Sequence, residues 1–100
     1  MGMERVVQFA GPPPTWAAIQ KELAVAGLPV TVRMIDGLPA FPDEIPPDDW
    51  REVRISTPSG MMTLRKQSDG IAVAVWGNAD ERLQAEWEKV VEACGTIVHR

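Results

Sequence analysis

The residues from Ile71 to Gly95 constrain the fold of this 100-residue chain most strongly, because they combine a buried strand, a tight corner and an amphipathic helix. The run Ile71–Trp76 is apolar, rich in β-branched residues and short enough for one strand. Gly77 permits a sharp corner, after which Asn78 is predicted to be the helix N-cap, with Glu81 as its capping-box partner.

One apolar stripe runs along this predicted helix, with members three or four positions apart, so one side of the helix is expected to face a core. The helix is predicted to stop at Gly95, since glycine is common at helix C-termini. Thr96–His99 is then predicted to be a short edge strand. The stripe consists of Leu83, Trp87, Val90, Val91 and Cys94.

The N-terminal third of the chain predicts a strand, a helix and a second strand. Met3–Phe9 is the first strand, and after a proline-rich connector Thr15 is expected to cap a helix that ends at Gly27. The alternation from Val30 to Met34 predicts a half-buried strand with Met34 on its apolar face. Elements of this length can form a parallel crossover, which would be right-handed.

Residues 37–49 are proline-rich, acidic and without usable periodicity, which predicts a loop. Two interpretations are open: the loop is offered to a basic partner, or it folds over the chain's own basic sheet or is solvated. Its larger apolar residues are expected to pin it to the body of the domain; they are Leu38, Phe41 and Ile45. The acids in and directly before the loop are Asp36, Asp43, Glu44, Asp48 and Asp49.

Three strands of an antiparallel meander are predicted after the loop. Thr57–Gly60 separates the first two, and the pair Asp69-Gly70, which favours a type I′ turn, separates the last two. Pro58 cannot adopt the positive φ of a type I′ turn, so a bulge that shifts the first hairpin by one residue is an open alternative. With two-residue turns the predicted partners are Val53 with Leu64, Ile55 with Met62, Leu64 with Val75, and Glu52 with Arg65.

Together these elements predict a single α+β domain over residues 1–100. The predicted order is β-α-β-β-β-β-α-β, a two-layer sandwich in which both helices cover one face of a mixed sheet. In topology alone this order resembles a ferredoxin-like sandwich with an added hairpin. A hydrophobic content of 45% with a net charge of −4 is typical of a globular chain.

Composition argues against several classes of protein. The longest apolar run is far shorter than the ~20 residues that span a bilayer, and no basic segment followed by an apolar region predicts a secretory signal. The lone Cys94 cannot form an internal disulfide, which fits a cytoplasmic protein. A sequence pI near 4.9 argues against broad electrostatic binding to nucleic acid or to anionic membranes.

The sequence contains no group of residues in a pattern typical of catalysis or of metal binding. The chain is therefore predicted not to be an enzyme and to hold no metal or cofactor. Cys94 lies on the apolar stripe and His99 lies beside the terminus, so a fixed nucleophilic pair is not expected. The loop acids do not match a twelve-residue calcium loop, and one histidine with one cysteine cannot supply a zinc site.

The sheet face that the helices leave uncovered is the first candidate binding surface. Trp76 and the small alanines of its strand, with Arg54, Arg65 and Thr63, form a shallow platform for a flat or anionic ligand. The alternative is that arginine stems or the loop simply cover Trp76. Binding of RNA to this face would need stacking aromatics on neighbouring strands, and the sequence offers only Trp76.

A pocket between the 37–49 loop and the sheet is the second candidate, with Asp48 or Asp49 beside Trp50. The leading hypothesis is a non-catalytic binding or protein-interaction module, whose partner is another protein or, through an edge strand or the open sheet face, a second copy. The alternative is a small enzyme or small-molecule-binding domain that uses the pocket. A hydrophobic cavity there, with a buried carboxylate of raised pKa, would favour the alternative.

Overall fold

The computed structural model describes residues 2–9, 11–77 and 79–98. Within them, six strands form one antiparallel sheet in the order β1-β6-β5-β4-β2-β3, and two helices pack against each other over one of its faces. The α+β class is thereby confirmed. The elements are β1 (Met3–Gln8), α1 (Trp16–Val25), β2 (Thr31–Ile35), β3 (Leu38–Pro39), β4 (Glu52–Thr57), β5 (Gly60–Lys66), β6 (Gly70–Val75) and α2 (Glu81–Val98).

The prediction of a mixed sheet is wrong, because every pair of neighbouring strands is antiparallel. β1 and β2 run in the same direction and are joined by α1, but three other strands separate them. β1 pairs instead with β6, whose residues lie more than sixty positions further along the chain. Local patterns predicted that β1, β2 and β6 are strands, but they contain no information on a pairing over this distance.

The hydrophobic core lies between the two helices and the sheet. The predicted stripe of α2 is buried in full, and Trp87 donates its indole N–H to the Val73 carbonyl over 2.9 Å. The buried residues of α1 are Trp16, Ile19 and Leu23, which lie three and four positions apart on one side of the helix. The meander contributes Val53, Ile55, Met62, Leu64, Ile71, Val73 and Val75.

Both ends of α1 follow the sequence prediction. The Thr15 hydroxyl accepts a hydrogen bond from the backbone N–H of Ala18 over 3.2 Å, as an N-cap residue does. At the other end Gly27 has a φ of 75°, and the N–H of Leu28 donates to the Leu23 carbonyl over 3.0 Å. This six-to-one bond is the mark of a Schellman motif, which glycine favours because it lacks a Cβ.

The start of α2 differs from the prediction. The predicted cap, Asn78, lies outside the described residues, and the helix begins at Glu81. Asp80 caps it instead, since its carboxylate accepts a hydrogen bond from the N–H of Leu83 over 2.8 Å. Glu81 is therefore the first helical residue, and its predicted role as a capping-box partner is wrong.

The predicted stop of α2 at Gly95 is also wrong, because the helix continues to Val98. Ile97 and Val98 pack against the core, and this burial keeps the last turn helical. The strand predicted over 96–99 is therefore wrong for residues 96–98, while His99 lies outside the described residues.

Gly95→Ala is expected to stabilise the protein by about 0.5–1 kcal/mol, because alanine loses less backbone entropy than glycine on entering a helix. Gly95 has no positive φ, and a Cβ at this position meets nothing within 4 Å. Urea unfolding followed by circular dichroism measures the change. A destabilised variant would contradict the continuous helix, since alanine is costly only where φ is positive.

The register of the first hairpin agrees with the two-residue turn. Glu52 opposes Arg65, and Thr57 opposes Gly60, so no bulge displaces the strands. Pro58 and Ser59 form the turn without positive φ angles. The predicted pairs of Val53 with Leu64 and of Ile55 with Met62 are therefore confirmed.

The turn before β6 lies one position earlier than predicted. The N–H of Gln67 donates to the Gly70 carbonyl over 2.7 Å, so Ser68 and Asp69 occupy the turn. Leu64 consequently opposes Val73, and its predicted pairing with Val75 is wrong. Because the shift is by two residues, every side chain of β6 stays on its predicted face.

A second Asp-Gly pair, Asp36-Gly37, has the geometry that the sequence predicted for the turn before β6. Both residues have positive φ, 51° and 82°, as a type I′ hairpin requires, and they join β2 to β3. The Asp36 carboxylate also accepts hydrogen bonds from the N–H groups of Arg51 (2.7 Å) and Glu52 (3.0 Å). These bonds tie the two ends of the 37–49 loop together and lower the pKa of Asp36 below its usual 3.8.

Asp36→Asn is expected to lower the free energy of unfolding by about 1 kcal/mol at neutral pH, because a neutral amide accepts these hydrogen bonds less strongly than a carboxylate. Since the pKa of Asp36 is lowered by folding, this stabilisation is complete above pH 3.8 and is lost as the pH falls through the lower, folded-state value. Urea midpoints from pH 7 to pH 2.5 test this. Asp43→Asn, an exposed acid of the same loop, is the control.

A bulge in β2 overturns the predicted orientation of Met34. The pairing of β2 with β4 shifts between Val32 and Met34, which makes Arg33 the extra residue. Met34 therefore opposes Arg54 on the face away from the helices, and Ile35 is buried on the core side.

Candidate functional site

The sheet face that the helices leave uncovered, called here the open face, gathers the residues of the first predicted site. Thr63 opposes both Arg54 and Ala74, and Arg65 opposes both Glu52 and Ala72. The predicted platform residues therefore lie in two neighbouring rows across three strands. The open face comprises Glu4, Val6, Met34, Glu52, Arg54, Ser56, Met61, Thr63, Arg65, Ala72, Ala74 and Trp76.

Long side chains surround a floor of short ones on this face. Thr63, Ala72 and Ala74 are buried although no helix covers them. The Arg54 guanidinium donates from Nε to the Thr63 hydroxyl over 3.4 Å, and Arg65 Nε lies 3.2 Å from the Glu52 carboxylate. Arg54 also donates from Nη1 to the Met34 sulfur over 3.8 Å, so both arginines are held in place over the floor.

An open cleft of about 350 Å³ lies at one end of the open face. Trp76 forms part of its wall and is 62% exposed. In the described part of the chain the cation–π contacts are made by Arg5 on Trp87 and by Lys66 on Trp50, so no arginine covers the Trp76 ring. The lining residues are Arg54, Met61, Met62, Thr63, Trp76 and Leu83.

The 37–49 loop does not fold over the open face. The expectation that its apolar residues pin it to the domain is wrong, because Leu38, Phe41 and Ile45 are each more than two-thirds exposed. Pro46 is buried instead, and so is Trp50, which directly follows the loop. The loop is therefore held at its ends and presents its middle to solvent.

Trp50 lies at the centre of the second predicted site but is fully buried. Its ring packs edge-to-face against Trp16, with centroids 6.4 Å apart, and Lys66 Nζ lies 4.4 Å from the ring centroid. Among the described residues no group accepts a hydrogen bond from the buried Trp50 Nε1. Beside this ring is an open cleft of about 530 Å³, lined by Pro13, Asp48, Asp49, Trp50, Arg51, Lys66 and Gln67.

Lys66 is the residue with a shifted pKa in this second cleft, and the sequence reasoning missed it. Its ammonium donates to the Asp48 carbonyl over 3.1 Å. Partial burial lowers the pKa of Lys66, and the nearby carboxylates of Asp49 and Asp48 offset part of this effect. The two aspartates themselves are exposed. The sequence did contain a signal for this residue. Lys66 lies at the end of one strand of the meander, and that strand pairs with the strand that follows the acidic loop.

Further candidates for chemistry are limited in the described part of the chain. Cys94 is buried, and burial raises the pKa of its thiol to about 12, so the reactive thiolate is scarce at neutral pH. Among residues 2–9, 11–77 and 79–98, no three histidine, cysteine, aspartate or glutamate side chains are placed to hold a metal ion. Neither described helix is long and apolar enough to cross a bilayer.

Comparisons with protein-family models, with curated proteins and with solved structures found no match to this chain. Two surfaces with distinct chemistry are therefore left to indicate function. The open face offers an exposed indole with arginines, and the second cleft offers a partly buried lysine between carboxylates.

Proposed function

We propose that this protein is a non-catalytic interaction module whose open face binds another protein. The observation that supports this best is the exposure of Trp76, at 62%, while the other tryptophans are 5% exposed or less. Tryptophan and arginine dominate the energetic centres of protein interfaces, and here Trp76 and Arg54 line one cleft. The exposed apolar side chains of Met61 and Val6 extend the same face.

The charges of the open face favour an acidic, apolar segment of a partner. Arg54, Arg65 and the neighbouring Arg33 outnumber Glu4 and Glu52 there. A nucleic acid is a poorer ligand, since the whole chain carries a net charge of −4 and one exposed tryptophan cannot stack successive bases. Because the open face is basic and the rest of the molecule is acidic, an acidic partner is attracted to this face and approaches it in one orientation.

A photo-crosslinking amino acid at position 76 tests this proposal in cells of the source organism. We expect ultraviolet light to join the variant to a discrete protein, identified by mass spectrometry. The matched control carries the same amino acid at position 25, because Val25 is 77% exposed on α1, away from the open face. Equal products at both positions, or none at position 76, would disprove the proposed site.

The second cleft supports a different candidate function, the binding of a small molecule. The specific observation is Lys66, an amine whose pKa burial lowers, beside a cleft of about 530 Å³. A lowered lysine pKa is one of the marks of a functional site. The buried carboxylate that would have favoured an acid–base enzyme is not among the described residues of the cleft, because Asp48 and Asp49 are exposed.

A fragment screen by nuclear magnetic resonance decides between the two functions. Binding in the second cleft would shift the resonances of Trp50 and Lys66, and Lys66→Met would abolish that shift. If no fragment moves these resonances while the crosslink at position 76 forms, the small-molecule function is rejected and the interaction module stands.

For the topology, we propose that the ferredoxin-like comparison holds in a restricted form. Two strands joined by a helix, β1 and β2, run in the same direction and enclose antiparallel strands, which is the split β-α-β arrangement. Three strands, β6, β5 and β4, lie between β1 and β2, and two of these three correspond to the added hairpin.

A further inference from the structure

The exposed large apolar side chains of the described residues fall into two groups. Leu38, Phe41 and Ile45 lie on the 37–49 loop, whereas Val6, Met61 and Trp76 lie on the open face. Val25 on α1 belongs to neither group. Two apolar surfaces on one small domain are unusual for a chain that acts alone, since contiguous exposed apolar patches mark interaction sites.

The middle of the 37–49 loop forms a turn that is ordered by hydrogen bonds. The N–H of Glu44 donates to the Phe41 carbonyl over 2.9 Å, and the Glu44 carboxylate accepts from the N–H of Phe41 over 3.3 Å. These reciprocal bonds order the backbone of the turn, and the side chains of Phe41 and Ile45 are 76% and 74% exposed. Preorganisation of this kind reduces the entropy lost on binding.

The two surfaces have opposite charge. Asp43 and Glu44 lie between Phe41 and Ile45, and the 37–49 segment contains no basic residue. The open face has Arg54 in its cleft and Arg65 and Arg33 nearby. The loop is therefore an acidic apolar segment, which is the ligand chemistry proposed above for the open face.

We infer that the partner of the open face is a second copy of this chain, with Phe41 of one copy in the cleft beside Trp76 of the other. This inference rests on the proposed function of the open face. Within one molecule the two surfaces leave each other exposed, so the complementary pair is completed between molecules. The carboxylates of Asp43 and Glu44 then face the guanidinium of Arg54.

A two-fold dimer satisfies both surfaces at once. β3 is the outermost strand beside β2, so the loop begins at one margin of the open face, whereas Trp76 follows β6, on the other side of β4 and β5. A two-fold axis that crosses the middle of the open face, parallel to the strands, places each loop at the Trp76 side of the other copy, and the assembly closes as a dimer. Loop and open face together contain about 25 residues, within the roughly 20–30 residues per side of a stable interface.

Light scattering with size-exclusion chromatography tests the inference on the whole chain. We expect a mass that rises from 11.0 kDa toward about 22 kDa with concentration. Concentrations from about 1 to about 500 µM bracket the micromolar dissociation constants of modest interfaces. Because opposite charges meet in the contact, raising the salt concentration from about 0.05 to about 0.5 M should weaken the dimer.

Three variants locate the contact. Phe41→Ser with Ile45→Ser removes the apolar part of the loop, and Trp76→Ala with Arg65→Ala removes the exposed indole and one guanidinium of the open face. Each is expected to weaken dimerisation at least tenfold. Val25→Ser is the matched control, since it deletes an equally exposed apolar side chain elsewhere and should leave the dimer intact. Circular dichroism checks that every variant is folded.

Mixing the loop variant with the open-face variant gives the most specific result. In a mixed dimer, the intact loop of one chain meets the intact open face of the other, so one of the two contacts is restored. We expect the mixture to contain dimer at concentrations where each variant alone is a monomer. Contacts of loop with loop, or of face with face, would not be restored in this way.

The possible failures are distinct from failure of the proposed function. A wild-type mass of 11.0 kDa at all concentrations would overturn the second copy as partner, while a crosslink from position 76 to another protein would keep the open face as a binding site. A dimer that survives the loop variant, or a mixture that stays monomeric, would overturn the loop as the ligand.

Discussion

Trp50→Ala is expected to lower the free energy of unfolding by about 3–5 kcal/mol, as deletion of a large buried aromatic side chain usually does. Trp50 is fully buried, packs against Trp16 and is covered by Lys66. The indole joins α1, the end of the loop and the last residue of β5, so the cavity left by alanine cannot collapse without moving three parts of the fold. A loss of this size is a large share of the 5–15 kcal/mol that stabilises a typical domain.

Trp76→Ala is the matched control for this prediction. It deletes the same side chain from a site that is 62% exposed, and its expected effect on stability lies within about 0.5 kcal/mol. Urea unfolding of both variants, followed by circular dichroism, makes the comparison. Equal losses would contradict the assignment of Trp50 to the core and of Trp76 to a surface.

Trp50→Phe separates packing from hydrogen bonding at the same site. Trp50 Nε1 is buried with no partner among the described residues, and a buried unsatisfied donor is unfavourable by about 1–3 kcal/mol. Phenylalanine removes this donor while leaving a smaller cavity than alanine. We therefore expect Trp50→Phe to be much less destabilising than Trp50→Ala.

Gly70→Ala is expected to lower the free energy of unfolding by about 2–3 kcal/mol. This is the upper part of the range that is typical when an extra methyl group is forced into a well-packed site. A Cβ at position 70 would lie 2.8 Å from Val6 Cγ1 and 2.9 Å from the Val7 carbonyl oxygen. The carbonyl belongs to the backbone of β1, which pairs only with β6, so the clash can be relieved only by displacing this edge strand. Hydrogen exchange of the β1 amides should therefore accelerate.

Gly60→Ala is the control for Gly70→Ala, because both glycines begin a strand. The three atoms nearest to a Cβ at position 60 all belong to the Leu83 side chain, at 2.9 Å and beyond, and the end of a leucine can rotate away. Its expected cost is below about 1 kcal/mol. Similar costs for the two variants would contradict the close approach of β1 to Gly70.

Asp-Gly pairs illustrate how far local signals reach. The sequence contains two, and a type I′ turn was predicted at Asp69-Gly70, whereas the positive φ angles occur at Asp36-Gly37. Both pairs have the same local propensity. Which of the two pairs forms the type I′ turn depends on Gly70. This glycine is needed within β6 because β1, a strand more than sixty residues away, packs closely against it. A short-range pattern cannot express that requirement.

For the candidate site, alternation along β4, β5 and β6 correctly predicted which side chains of these strands share the open face, whereas the bulge in β2 placed Met34 there against the prediction. It did not predict the loop. Phe41 and Ile45 are apolar, and burial is the usual expectation for such residues, but both are exposed on a turn that bonds between Phe41 and Glu44 order. Prolines interrupt any periodicity there, so no pattern could show the direction of these side chains.

The sequence by itself determined the strands of the meander, the buried stripes of both helices, the caps of α1 and the acidic character of the loop, since each depends on residues a few positions apart. Only the tertiary structure decided the all-antiparallel strand order, the extension of α2 through Gly95 and the exposure of the loop. These depend on burial against distant parts of the chain. In α2, the free energy of burying Ile97 and Val98 exceeds the local preference of Gly95 for ending a helix.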